Sequence, residues 1–105
     1  MIDRSRLAEL EAEIGAEDTA MIFALYLEEA EEAVARIAAG LPPDDHRRAL
    51  HFLRSGALNI GLIGVADAAD AGAAPVPATA QTLARALADA QAAWPGPATP
   101  YVGPP

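Results

Sequence analysis

Cysteine is absent from these 105 residues. That excludes a disulfide framework and any zinc site built on thiolates. Aromatic residues make up only 5% of the chain, so its core has to be assembled from Ala, Leu, Ile and Val. The β-branched and aromatic runs that mark strands are nearly missing. Positive charge is scarce: seven Lys and Arg stand against fifteen Asp and Glu, a net charge of −8. A surface of that sign repels phosphate backbones, which argues against nucleic acid as a partner. It equally disfavours a polybasic membrane contact. No apolar run approaches membrane-spanning length, and the first fifteen residues are too charged for a signal peptide. The expected setting is cytoplasmic and soluble.

What the chain does have is aliphatic helix former. Hydrophobic residues reach 52%, and the abundant alanine has the best helix propensity. The length suits one domain. Leu7, Leu10 and Ile14 recur at helical spacing before Gly15, which predicts a short first helix. A second helix is expected from about Asp18 to Ala39, with Ile22, Phe23, Tyr26, Ala30, Ala33, Val34 and Ile37 on one stripe. Glu28, Glu29, Glu31 and Glu32 fall opposite, as a solvated face, and Glu32 can pair with Arg36 one turn on. Gly40, Pro42 and Pro43 break the chain. A third helix is expected over about Pro43–Leu58, with Leu50, Leu53, Ala57, Ala49 and Ile60 inward.

A weaker fourth helix should cover about Leu62–Ala71, with Leu62, Val65, Ala66 and Ala69 inward. The stretch AGAAPVPA reads as a linker, and Thr79 as the N-cap of a last helix over Ala80–Ala93. Leu83, Leu87, Ala90 and Trp94 form its stripe. The proline-rich residues 95–105 are expected to be extended or disordered. The fold class that follows is all-α: an antiparallel four-helix bundle with a short extra N-terminal helix, spanning 1–94. A bundle alone carries no function.

The chemistry concentrates in the third helix. With Leu50, Leu53 and Ala57 inward, His51 lies about 100° from Leu50, at the boundary or outside it. Arg47, Arg48, Arg54 and Ser55 are its neighbours three and four residues away. Three of seven basic residues thus surround one histidine in an acidic protein. A neutral imidazole nitrogen is nucleophilic near pH 7. A phosphoryl group brings roughly −1.5 to −2 charges, which guanidiniums stabilise through charge-assisted hydrogen bonds. The same arginines would attract an acidic active site on a partner. Ser55 and Gly56 are small and leave the imidazole uncovered. Glycine costs about 1 kcal/mol against alanine inside a helix, so Gly56 signals either close approach of a partner or tight packing on another helix.

The segment His51-Phe52-Leu53-Arg54-Ser55-Gly56-Ala57-Leu58-Asn59-Ile60-Gly61 resembles the signature of histidine phosphotransfer domains, His-x-Leu-Lys-Gly-Ser-Ala-x-x-x-Gly. Upstream, Tyr26-Leu27-Glu28-Glu29-Ala30 resembles the family's Phe-Leu-Glu-Glu-Ala helix, and Gly40 to Asp45 its Gly-Asp loop. The likeness covers roughly residues 5–72. Arg54 stands where the family has lysine, which keeps the charge and changes its geometry; Ser55-Gly56 inverts the family's Gly-Ser; and the fourth helix has no Gln or Asn of the kind many members use to orient the imidazole.

The resemblance implies a phosphorelay intermediate in two-component signalling. His51 would be the phosphoacceptor. Arg47, Arg48, Arg54, Ser55 and Gly56 would stabilise the phosphoryl group or dock partners. Those partners would be response-regulator receiver domains and a hybrid sensor kinase. No cofactor is expected on this chain; Mg²⁺ would sit on the receiver. No P-loop or Gly-rich nucleotide motif is present, so kinase activity of its own is not expected.

Two other readings stand beside this one. The same bundle could be an adaptor that docks receivers or kinases without being phosphorylated. An enzyme using His51 as a general base would need a carboxylate or nucleophile in a pocket beside it, and the sequence offers no such set. His46 lies about 140° round the helix from His51 and reads as a solvated residue; ligand pairs on a helix want four-residue spacing, so no metal site is expected. Phe52 and Leu58 read as core or bundle-edge residues, or as part of an apolar docking patch around His51. Trp94 and Tyr101 read as packing or tail residues.

Overall fold

The computed structural model describes residues 2–70 and 74–94, and all regular structure among them is helical. Five helices follow in order: α1 (Arg4–Ile14), α2 (Ala16–Ala39), α3 (Pro43–Ile60), α4 (Ile63–Ala69) and α5 (Val76–Ala93). The expected tail 95–105, with Tyr101, and linker residues 71–73 lie outside the described residues.

Punctuation in the sequence sets most boundaries. Asp3 caps α1 by accepting from the Arg6 amide. Gly15, at φ +89°, lets the chain leave α1 and enter α2 within one residue. Its carbonyl takes the Thr19 hydroxyl at 2.7 Å, so buried Thr19 is satisfied. Glu17 and Asp18 sit in the first turn of α2, where the helix dipole favours them. Pro43 opens α3 and Gly61, in the left-handed region, closes it.

The last helix departs from expectation. It begins at Val76, not Ala80, and Thr79 is a buried residue inside it rather than its cap. Pro75 precedes the helix and Pro77 falls in its first turn, where a missing N–H costs nothing. The proline-bearing stretch is therefore partly a helix start.

The core is aliphatic and alanine-rich. Ile37, Leu53, Leu62 and Leu83 are fully buried, among Ala30, Ala33 and Ala57. The stripes expected on α2, α4 and α5 are buried, with Ile22 and Trp94 packed at the edge. Leu50 and Ala49 also sit at the edge instead of inside. The Glu28–Glu32 acids are exposed as expected, but Glu32 and Arg36 do not close to an ion pair; among the described residues the ion pairs are Arg6–Glu9, Arg47–Asp44 and Arg48–Asp45.

Helices α2 and α3 touch, as do α3 and α4, α4 and α5, and α2 and α5. Trp94, just after the end of α5, stacks on Phe23 of α2, with centroids 3.9 Å apart. Tyr26, near the middle of α2, meets Leu53 and Gly56 of α3. Helix α1 leans on α2 and α3.

Candidate functional site

Helix α3 has two unlike faces. Leu53, Ala57 and Ile60 are buried at 0–2% exposure. His51, Phe52, Arg47, Arg48, Arg54 and Ser55 lie outside. The 3.6-residue period separates the two sets. His46, read from sequence as solvated, is half-buried beside the inner face.

His51 lies on a broad, open concavity of about 710 Å³. Asp44, Arg47, Arg48, Phe52, Ser55 and Gly56 line it with the imidazole. Five of the six residues singled out in sequence for the site therefore converge here. Arg54 is exposed but is not part of this lining. It lies about 60° back round the helix from His51, on the side away from Ser55.

The arginines are not idle. Arg47 pairs with Asp44 and Arg48 with Asp45, each one helical turn back. All four side chains are at least half exposed, and pairs of that kind contribute little to stability. A doubly charged oxyanion at His51 can therefore compete for these guanidiniums.

Among the described residues, the one side chain hydrogen-bonded to the imidazole is Ser55: its Oγ is 3.4 Å from His51 Nε2. From the sequence, Ser55 reads as a small residue that leaves the imidazole uncovered and stabilises the phosphoryl group or docks partners; its contact with the ring is visible only in the structure.

Gly56 finds its reason in packing. A Cβ built on it would fall 2.4 Å from Cε1 of Tyr26. The missing side chain lets the Tyr26 ring pass and donate its hydroxyl to the Leu53 carbonyl at 2.6 Å. Burial pushes the pKa of this phenol well above its ordinary value. Phe52 leans on the same ring, with centroids 6.0 Å apart and planes 34° apart. Tyr26 is thus a residue of the site's foundation that the motif did not reveal. The available signal was a tyrosine inside an apolar stripe, whose hydroxyl needs a partner once buried.

A second missed anchor lies at the other end of α3. Arg6 donates through Nε to the Asn59 carbonyl at 2.9 Å and through Nη2 to Asn59 Oδ1 at 3.2 Å. The Asp3 amide donates to the Gly61 carbonyl at 2.7 Å. A cation at a helix C-terminus is favoured by the dipole. Gly61 leaves room for the approach, since a Cβ there would sit 2.8 Å from the Asp3 carbonyl oxygen.

Phe52 and Leu58 are not core residues: they are 37% and 46% exposed. Trp94 packs, on Phe23. Among the described residues no group of three or more His, Asp or Glu is placed to hold a metal ion, and no helix is long and apolar enough to cross a membrane.

No protein family, curated protein or solved structure matches this chain.

Proposed function

We propose that this chain is a phosphocarrier of the histidine phosphotransfer kind, with His51 as phosphoacceptor. The observation that carries the reading is an exposed imidazole lining an open concavity together with Arg47 and Arg48 and the small residues Ser55 and Gly56. On this reading α2 to α5 make an antiparallel four-helix bundle, supported by the closed ring of contacts between them, and α1 is the extra helix.

The step is a displacement at phosphorus. A lone pair on an imidazole nitrogen attacks the phosphorus of an aspartyl phosphate on a receiver domain. The P–N bond forms as the P–O bond to aspartate breaks, and that electron pair returns to the carboxylate. The proton on the other ring nitrogen stays, so the ring becomes cationic beside a dianionic phosphoryl group. Onward transfer reverses these bonds, with a second receiver's carboxylate as nucleophile. Such transfers need positioning and charge stabilisation more than covalent help. Arg47, Arg48 and, from the flank, Arg54 supply the charge; Mg²⁺ and carboxylates belong to the receiver. A broad, open site suits this division of work, because the partner's pocket has to close over the ring.

The test is incubation with receiver domains charged by acetyl phosphate, with phosphoramidate as a donor that needs no docking. The expected result is an acid-labile, base-stable label that His51→Gln abolishes while the melting temperature stays unchanged. A chain that binds receivers yet takes no label from either donor would be an adaptor instead, and the relay reading would be lost.

A further inference from the structure

We infer that Ser55 is the positioning residue of the His51 imidazole, holding Nε2 as the nucleophilic nitrogen before transfer and donating to the phosphoryl group afterwards. This deepens the phosphocarrier reading and rests on it for the second half only.

The two side chains are four residues apart on α3, so they share one face. Ser55 Oγ is 3.4 Å from His51 Nε2, and neither side chain has another hydrogen bond among the described residues. A neutral imidazole has one nitrogen that donates and one that accepts. A hydroxyl donating to Nε2 stabilises the tautomer with its proton on Nδ1. The lone pair then resides on Nε2, the ring atom farther from the backbone and the one a partner's phosphorus can reach. A contact of this length in the open is weak enough to yield when the electrophile arrives. Once the P–N bond has formed at Nε2, Oγ is beside the phosphoryl oxygens and can turn its proton to one of them, a charge-assisted hydrogen bond.

Neighbouring packing keeps this geometry in place. The Tyr26 hydroxyl holds the Leu53 carbonyl, and the Tyr26 ring fills the space a side chain at 56 would need. Helix α3 therefore cannot roll without breaking a buried contact, and residues 51 and 55 stay on the open side. The order Ser55-Gly56 follows: glycine is required where Tyr26 passes, and the hydroxyl is placed where it reaches the imidazole.

The experiment compares wild type with Ser55→Ala and Ser55→Thr by two readouts. Heteronuclear NMR of the His51 ring nitrogens in the unphosphorylated protein reports the tautomer. Phosphoramidate labelling reports the rate at which the ring accepts phosphate without a docked partner. Ser55→Ala is expected to move the tautomer population toward the Nε2–H form and to slow labelling about threefold to tenfold, the scale of one hydrogen bond. Ser55→Thr, which keeps the hydroxyl, is expected to retain both. An unchanged tautomer in Ser55→Ala overturns the inference, whether or not labelling slows. If wild type takes no label at all, the phosphocarrier reading fails, while the tautomer comparison still decides the role of Ser55.

Discussion

The α2–α3 seam and the α4–α5 half of the molecule are built differently. At the seam, a buried tyrosine hydroxyl reaches a helix carbonyl, a glycine accommodates its ring, and Arg6 ties down the far end of α3. In the other half, seven-residue α4 and the eighteen residues of α5 present mainly Ala, Val and Leu to the core. Apolar contacts of that kind are non-directional and tolerate sliding that hydrogen bonds do not. The candidate site lies on the directional side. On the proposed reading, a surface that presents one imidazole at a fixed azimuth needs a helix that cannot roll, whereas the opposite half only needs to close the core.

Equal cuts on the two sides should sharpen the contrast. Leu53→Ala and Leu83→Ala each remove a fully buried leucine. Both are expected to cost about 2–5 kcal/mol in urea unfolding. Only the first should also slow His51 labelling by phosphoramidate under native conditions. If both slow it alike, the seam has no special hold on the site.

Gly56→Ala comes next. The overpacking penalty of about 1–3 kcal/mol is offset by the roughly 1 kcal/mol gained from alanine's helix propensity. A net loss of about 0–2 kcal/mol is expected, read from the urea midpoint, because the clash is with a ring held by Phe52 and by its own hydroxyl's hydrogen bond. A stabilised Gly56→Ala would mean that Tyr26 gives way freely.

Tyr26→Phe should cost about 1 kcal/mol, since the Leu53 carbonyl keeps its helical partner and only the phenol's hydrogen bond is lost. The pH dependence has a definite sign. Burial raises the folded-state pKa of this phenol, so above about pH 10 the unfolded chain loses a proton that the folded chain keeps. Stability contributed by Tyr26 is complete below that pH and falls as pH rises past it. Thermal melts at alkaline pH should show a steeper decline for wild type than for Tyr26→Phe.

The smallest stability effect is expected from Arg48→Ala, less than about 0.5 kcal/mol, because its pair with Asp45 is exposed. Labelling by a charged receiver should nonetheless slow, and more strongly at low salt, where surface charges act at longer range. Unchanged transfer at low ionic strength would remove Arg48 from the site.

Much of this was legible in the chain. Helices α1 to α4 fall within a few residues of the places that periodicity and punctuation indicate. The start of α5 was obscured because Pro75 and Pro77 read as breakers, yet a proline in a first turn begins a helix as readily as it ends one. In the site, Arg47, Arg48 and Ser55 were visible because they lie within one turn of His51. Tyr26 and Arg6 were not, since they reach α3 from 27 and 53 residues away, and no local spacing encodes such a meeting.

Spacing along a single helix indicated, from the sequence alone, which side chains accompany His51 on the outer face of α3, because a helix's angular period is set by its own backbone, but how deep Leu50, Ala49 and His46 sit was decided by packing. The reason for Gly56, the burial of Thr79 and the Arg6 clamp on Asn59 were decided only when separate helices packed. Steric fit and hydrogen bonding between distant segments depend on how the elements dock, a property that no one of them carries by itself.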